Sequence, residues 1–370
     1  MTTTAVPPRT AGEPEVDDLG RAARRRHNLV WVGGLGAGLL VTITVATGIG
    51  PVPISPGTVV RIVGHHLAGW PAEVTWAATD DSIVWLVRLP RVLLGAVAGA
   101  ALAVTGVALQ AMVRNVLADP SILGITAGAS VGAASAILFG ASIAAVGVLG
   151  ITSLTGTAFV GAIGAGVGVF LIAQSGGRVT SIRLLLAGVA VGFVLSAVTS
   201  FLLFVAGPQD GIQAVLFFLL GSLTRTTWAA VIIPVVVFVV GFALLMAWSR
   251  RFDAIAIGED TAVALGTSPT RFRLRALVVV SLMIGAMVAV SGGVGFVGLI
   301  VPHVARRFVG GEHRRVYGVS ALIGAVFLVW ADVVARVVAQ PAELPLGIVT
   351  AIVGAPFLIV LIRRFHAAAT

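Results

Sequence analysis

The chain has no lysine and no cysteine among its 370 residues. Without lysine there is no lysine-bearing phosphate loop and no Schiff base, so ATP chemistry on a loop of that kind and imine chemistry are both excluded. Without cysteine there are no disulfides, thiolate metal sites or thiol nucleophiles. Charge is scarce as well, at 11% of residues. No His-Glu-x-x-His spacing occurs, which removes the common helical zinc-protease arrangement.

What is abundant is apolar surface. Hydrophobic residues make up 58% of the chain and the mean hydropathy is +1.07, more than a soluble core could hide, so the solvent for most of this chain is lipid. Apolar stretches fall near 29–49, 92–113, 123–143, 153–173, 184–205, 227–248, 276–292, 293–304, 316–334 and 346–362. They predict an all-α integral membrane protein of about ten transmembrane helices. Several are short for a bilayer about 30 Å thick, so some helices are expected to be tilted, broken or shielded by neighbours. The first stretch is longer than a signal-peptide core and has no small-x-small cleavage site, so it reads as a retained span. Residues 1–27 are polar and end in Arg21, Arg24, Arg25 and Arg26, which predicts a disordered cytoplasmic tail before one membrane domain over 28–365 and a short tail at 366–370.

All 24 basic residues are arginine, giving a formal charge of +9. They cluster at the ends of apolar stretches rather than along one stripe, which argues against nucleic acid. With the amino terminus inside and the spans alternating, Arg61, Arg88, Arg91, Arg225 and Arg336 are the only arginines left outside. That is the asymmetry of the positive-inside rule, and it predicts two cytoplasmic termini. The outer loop 50–87 carries an amphipathic stretch, Ser55–Leu67, and Trp70, Trp76 and Trp85, suited to anchoring at the membrane interface.

Glycine series such as Gly95/Gly99, Gly128/Gly132 and Gly161/Gly164/Gly168 predict close helix packing. The segment Gly99–Gly106 echoes Gly285–Gly292 at five of eight positions, with Thr105 opposite Ser291. These lie in the second and seventh spans, which run in opposite directions, so the halves are expected to be inverted repeats. His303 reads as a structural hydrogen-bonding residue. His65 and His66 are adjacent and therefore point away from a shared helix face, a poor start for a metal site.

A series of motifs in order along the chain carries a more specific signal. Arg88-Leu89-Pro90-Arg91 is followed by Arg114-Asn115-Val116-Leu117-Ala118-Asp119-Pro120 and Leu123-Gly124-Ile125. Then come Arg183–Ala190, Gly221-Ser222-Leu223, Gly292–Leu299 running into Val301-Pro302-His303, and Glu343–Gly347 with Gly354-Ala355-Pro356. From about 55 to 364 the chain resembles the FecCD-type permeases, the iron-siderophore, haem and vitamin B12 family of ABC importers.

The resemblance implies a type II importer permease that translocates an iron chelate, most often a ferric siderophore, with haem and cobalamin as alternatives. It implies a cell-membrane protein without its own ATPase site or cofactor, ATP and Mg being held by a cytoplasmic ABC ATPase dimer. The other partners implied are an extracytoplasmic substrate-binding protein and a second permease copy or paralogue. Arg88, Arg91 and Arg336 match positions that dock the binding protein; pairing at a helix end, Arg336 with Asp332, is the alternative for such residues. Ile257, Gly258, Glu259, Asp260, Ala262, Leu265 and Gly266 match the segment that couples to the ATPase and read as one short helix, acidic in its first turn and ended by glycine. Asn115, Val116, Leu117, Ser181 and Ile182 match the inner gate. Two departures stand out: Val116 replaces the family's proline, and Phe218 replaces its usual tryptophan.

Two other classes fit less well. An ion-coupled secondary transporter needs ionisable groups at mid-membrane, whereas the 15 acidic residues here fall in tails, loops or span ends, Asp332 coming closest to an exception. An intramembrane hydrolase needs a nucleophile with its base, paired aspartates or a metal, and none is expected.

Overall fold

The computed structural model describes residues 21–144, 154–174, 179–205, 209–224 and 226–367. In chain order the helices are α1 (Arg21–Gly48), α2 (Pro56–Ala68), α3 (Ala78–Ser82), α4 (Leu89–Val113), α5 (Ile125–Ala144), α6 (Leu154–Gln174), α7 (Ser181–Val205), α8 (Gln209–Leu220), α9 (Trp228–Ala247), α10 (Ser249–Ile257), α11 (Glu259–Ala264), α12 (Pro269–Ser291), α13 (Val297–Val309), α14 (His313–Val337) and α15 (Leu346–Ala367). A π-helical stretch, Ile83–Arg88, joins α3 to α4 without a break, and a 3-10 turn, Pro120–Leu123, precedes α5. Among the described residues there is no strand, as lipid requires of a chain whose backbone groups must be satisfied within each segment.

Among the described residues, eight helices are long and apolar enough to cross a membrane. They correspond to eight of the ten expected spans. The ninth, α5, is interrupted at Phe139 (φ −126°). The tenth, α13, has 13 residues and a length of about 20 Å, too short to span alone. The sequence reading missed α8, a 12-residue apolar helix. Helix α1 begins at Arg21, so residues 21–27 extend it ahead of the apolar run that starts at Leu29; the rest of the expected tail, Arg178, Arg225 and residues 368–370 lie outside the described residues. In α1, the Trp31 indole donates to His27 (3.0 Å), and the His27 imidazole meets the Phe308 carbonyl (3.0 Å).

The centre of the bundle is α4, buried along almost its whole length and built of small residues. A Cβ at Gly99 would fall on the Gly324 carbonyl of α14, and one at Gly106 on the Gly298 carbonyl of α13, so glycine is what allows these backbones to touch. Gly128 of α5 and Gly161 of α6 meet in the same manner, whereas Gly164 faces open space.

The inverted repeat is visible in the packing. Helix α4 packs on α14 and α13, and α12 packs on α6 and α5. Exchanging α4, α5, α6 and α7 for α12, α13, α14 and α15 therefore maps one set of contacts onto the other, including α5 with α6 and α13 with α14. The two lead helices are antiparallel: Arg273 near the start of α12 bonds to Met112 near the end of α4, while Leu223, beside the Ser291 end of α12, lies against Gly95 near the start of α4. Thr105 and Ser291 each bond the carbonyl four residues back, Ala101 and Met287.

The repeats share a break as well. Each lead helix ends on a left-handed residue, Arg114 (φ 54°) or Gly292 (φ 66°), and each following helix is preceded by another, Gly124 (φ 71°) or Phe296 (φ 68°). Between them the chain turns back into the bundle at 114–124 and 292–296.

Candidate functional site

The ends of the bundle carry different chemistry. At the Arg91 end, the three arginines expected to dock a partner are buried and turned inward. Arg88 donates to the carbonyls of Thr47 (3.2 Å), Gly48 (3.0 Å) and Val52 (2.7 Å), closing the end of α1. Arg91 grips Asp332 through Nε (3.0 Å) and Nη2 (2.8 Å), and Glu343 through Nη1 (3.0 Å) and Nη2 (2.8 Å). Arg336 pairs with Asp332 (3.1 Å) and donates to the carbonyls of Ile49 and Ala46. These guanidinium groups staple α1, α4 and α14 together, and each is 5–7% exposed. The helix-end pairing of Arg336 with Asp332, weighed against docking, is present.

The loop before them forms α2. Ser55 caps it by accepting from Thr58 N (3.2 Å), Pro56 opens it, and Gly69 (φ 67°) ends it. His66 meets Asp81 (3.0 Å) and stacks on Trp85, whose carbonyl accepts the Trp228 indole N–H (2.8 Å). Between α4, α6, α8 and α9 lies a cavity of about 500 Å³, lined by Thr155, Gln213, Phe218, Ser222 and Thr224 among others. The departure at Phe218 therefore bears on this wall, and its carbonyl also accepts from Gly221 and Gly293.

At the Arg273 end, the coupling segment is an elbow of two helices rather than one. Ile257 closes α10, Gly258 is extended, and Glu259 and Asp260 open α11, where carboxylates suit the positive helix end. Gly266 (φ 74°) closes the elbow, with Thr267 N–H on the Ala262 carbonyl (2.8 Å). Ala262 is buried against the bundle, whereas Ile257, Val263 and Leu265 are 69, 61 and 67% exposed. The elbow is anchored twice: Asp253 of α10 pairs with His313 of α14 (2.6 Å), and Glu259 pairs with Arg273 (2.7 Å).

The two expected gate segments meet at this same end. The Ser181 hydroxyl donates to the Met112 carbonyl (3.1 Å), three residues before Asn115. The Asn115 side chain accepts from Leu117 N (2.9 Å), a local turn that holds the segment without the family's proline. Val116 and Ile182 are exposed.

Sequence reasoning gave no site role to three residues here, Arg273, Gln110 and Asp119. Arg273 was counted only as a basic topology marker. Gln110, a lone amide in an apolar run, donates to the Gly298 carbonyl (3.2 Å) and accepts from Arg306 (2.6 Å), tying α4 to α13; its isolation was the available signal. Asp119 is a buried acid in the turned-back segment, not an exposed loop residue, and caps its turn on Ser121 N (2.9 Å). A Gly-x-Ser-x-Gly spacing does occur, at Gly128–Gly132, but it sits within helix α5 and Ser130 donates to the Thr126 carbonyl (3.0 Å), so it is not the strand-to-helix elbow of a hydrolase. His303 lies edge-on to Phe357. Among the described residues, no cluster of three His, Asp or Glu could hold a metal.

Known proteins share this arrangement along its length. The family model of the FecCD transport family matches residues 38–364. The cobalamin import system permease of Halobacterium salinarum is 39% identical over 365 residues, covering 90% of this chain and 96% of that one. The Fe(3+)-citrate import system permease of Bacillus subtilis is 39% identical over 286 residues, covering 77% and 82%. A solved inward-facing ABC transporter structure of metal-chelate type superposes with a TM-score of 0.77 at 29% identity, covering 90% of this chain and 98% of that one. With the inverted repeat, the broken helices and a family match spanning nearly every helix, the chain belongs to the FecCD transport family.

Proposed function

We propose that this chain is the membrane permease of an ABC importer for an iron chelate, a ferric siderophore above all, with ATP hydrolysed by a cytoplasmic partner dimer. The observation that carries this reading is the α10–α11 elbow. It presents Ile257, Val263 and Leu265 to solvent on a segment whose other face is fixed to the bundle, as a surface read by another protein would be. The Arg273 end then faces the cytoplasm together with both termini, in keeping with the arginine asymmetry. The Arg91 end receives substrate from a binding protein. Arg88, Arg91 and Arg336 serve that docking by bracing the rim, their guanidinium groups being committed to internal partners. Asn115, Val116, Leu117, Ser181 and Ile182 close the pathway on the cytoplasmic side, and a second copy or paralogue completes it. The spans carry little fixed charge, which suits a bulky ligand that passes without being held. Cobalamin is the second reading, supported by the near full-length similarity to the Halobacterium permease.

Uptake of radiolabelled ferric siderophores, haem and cobalamin by cells lacking the gene and by complemented cells tests this. Loss of ferric siderophore uptake, restored by the gene, is the expected result. Loss of cobalamin or haem uptake alone replaces the substrate, and unchanged uptake of all three overturns the iron-chelate reading.

A further inference from the structure

We infer that Arg273 is the positioning residue through which movement of the α10–α11 elbow reaches both gate segments. The inference rests on the roles proposed above for those segments and adds the physical link between them.

Arg273, the fifth residue of α12, is 1% exposed and heads the fully buried side chains by volume. Its guanidinium group touches the elbow and the chain beside both expected gate segments. Nε donates to the Met112 carbonyl (3.1 Å), at the end of α4 where the 114–117 segment begins. Nη1 donates to the Val179 carbonyl (3.0 Å) and to Glu259 of α11 (2.7 Å). Nη2 donates to the Ser181 hydroxyl (3.0 Å), which in turn donates a hydrogen bond to the Met112 carbonyl.

The chemistry of these contacts makes the hub stiff. Arginine carries five N–H donors in a planar fork, so a shift of one acceptor turns the whole group. Met112 O is among the orphan carbonyls of the last turn of α4, where a cation is favoured by the negative helix end. The same cation sits unfavourably near the positive start of α12, and Glu259 is the counter-charge that holds it there. Glu259 itself is 44% exposed at the first turn of the elbow. Displacing the elbow therefore either drags the guanidinium group, and with it Met112, Val179 and Ser181, or strands a buried cation, which is costly. The other anchor, Asp253 with His313, joins α10 to α14 instead.

Because the chain has no cysteine, one introduced thiol is the sole site of labelling on the permease band, read separately from the ATPase band after electrophoresis. The test uses the permease with its ATPase partner in lipid nanodiscs carrying Ile182→Cys, an exposed gate position. The rate of modification by a charged maleimide is compared between ADP and ATP with vanadate. The parent is expected to change by about fivefold or more, and Glu259→Gln and Arg273→Lys to change by less than about twofold, the loss of an ordinary coupling energy. Lysine keeps the charge but cannot reach four acceptors at once. Glu259→Gln cuts only the elbow side of the hub and decides the matter if Arg273→Lys fails to fold. A merely structural role would lower yield and leave the nucleotide response intact; a full response in Glu259→Gln overturns the inference. Leu265→Asp separates the two levels. If it uncouples ATP hydrolysis from uptake while Glu259→Gln responds normally, Arg273 alone is misassigned. If Leu265→Asp transports normally, or the parent shows no nucleotide response, the elbow or gate reading falls and the inference with it.

Discussion

Replacing Asp332 with asparagine keeps the shape of the side chain and removes only its charge. In the native cluster Asp332 is 2% exposed and bonded to Arg91 at 2.8, 3.0 and 3.1 Å and to Arg336 at 3.1 Å. Without it, two buried guanidinium groups share one remaining carboxylate, Glu343, whose side chain is 37% exposed. Breaking a buried ion pair from one side costs about 3–5 kcal/mol, because the surviving charge is left uncompensated. The matching change at the half-exposed partner, Glu343→Gln, is screened by solvent and costs about 1 kcal/mol or less. At about 2–4 °C per kcal/mol, Asp332→Asn lowers the thermal transition by about 10 °C and Glu343→Gln by only a few degrees. Thermal aggregation in detergent, read by fluorescence-detected size exclusion, measures both. An Asp332→Asn transition near that of the parent, or a larger loss for Glu343→Gln, would refute the view that this cluster staples α4 to α14.

Two positions of α4, Gly106 and Gln110, probe its contact with α13. Gly106→Ala places a methyl group on the Gly298 carbonyl, where only backbone could yield, and is expected to abolish monodisperse protein, whereas Gly33→Ala, facing open space, leaves the elution profile unchanged. Gln110→Leu removes the acceptor of Arg306 and the donor to Gly298, leaving buried polar groups unpaired; a loss of about 2–4 kcal/mol is expected in the same thermal assay, with Gln110→Glu less damaging because it still accepts from Arg306.

Several elements were legible because their signals are local. The amphipathic stretch Ser55–Leu67, which forms α2, and the eight long spans follow from residues next to one another. The echo between Gly99–Gly106 and Gly285–Gly292 was legible for another reason: each copy sets a glycine against the corresponding helix of its half, Gly99 on the backbone of α14 and Gly285 on side chains of α6. By contrast α8 was overlooked because its apolar run, Gly211–Leu220 with Gln213 inside it, is too short to read as a span, and α13 was counted as a span because its apolar run joins that of α12. The elbow at 257–266 was found as a segment, yet its division at Gly258 was not, since a glycine within such a stretch serves equally as interior or break.

By itself the sequence determined that this is a polytopic helical membrane protein, where eight of its spans run, that its halves repeat in opposite directions and which family it resembles. Those features depend on composition and order along the chain, because a helix in lipid satisfies its own backbone and needs only local apolarity. Tertiary structure alone decided which charges are spent internally. Arg91 and Asp332 are 241 residues apart, Arg273 reaches back 161 residues to Met112, and Arg306 lies 196 from Gln110. A buried cation must find its acceptors wherever the packing brings them, and in an inverted repeat that packing joins the beginning of one half to the end of the other.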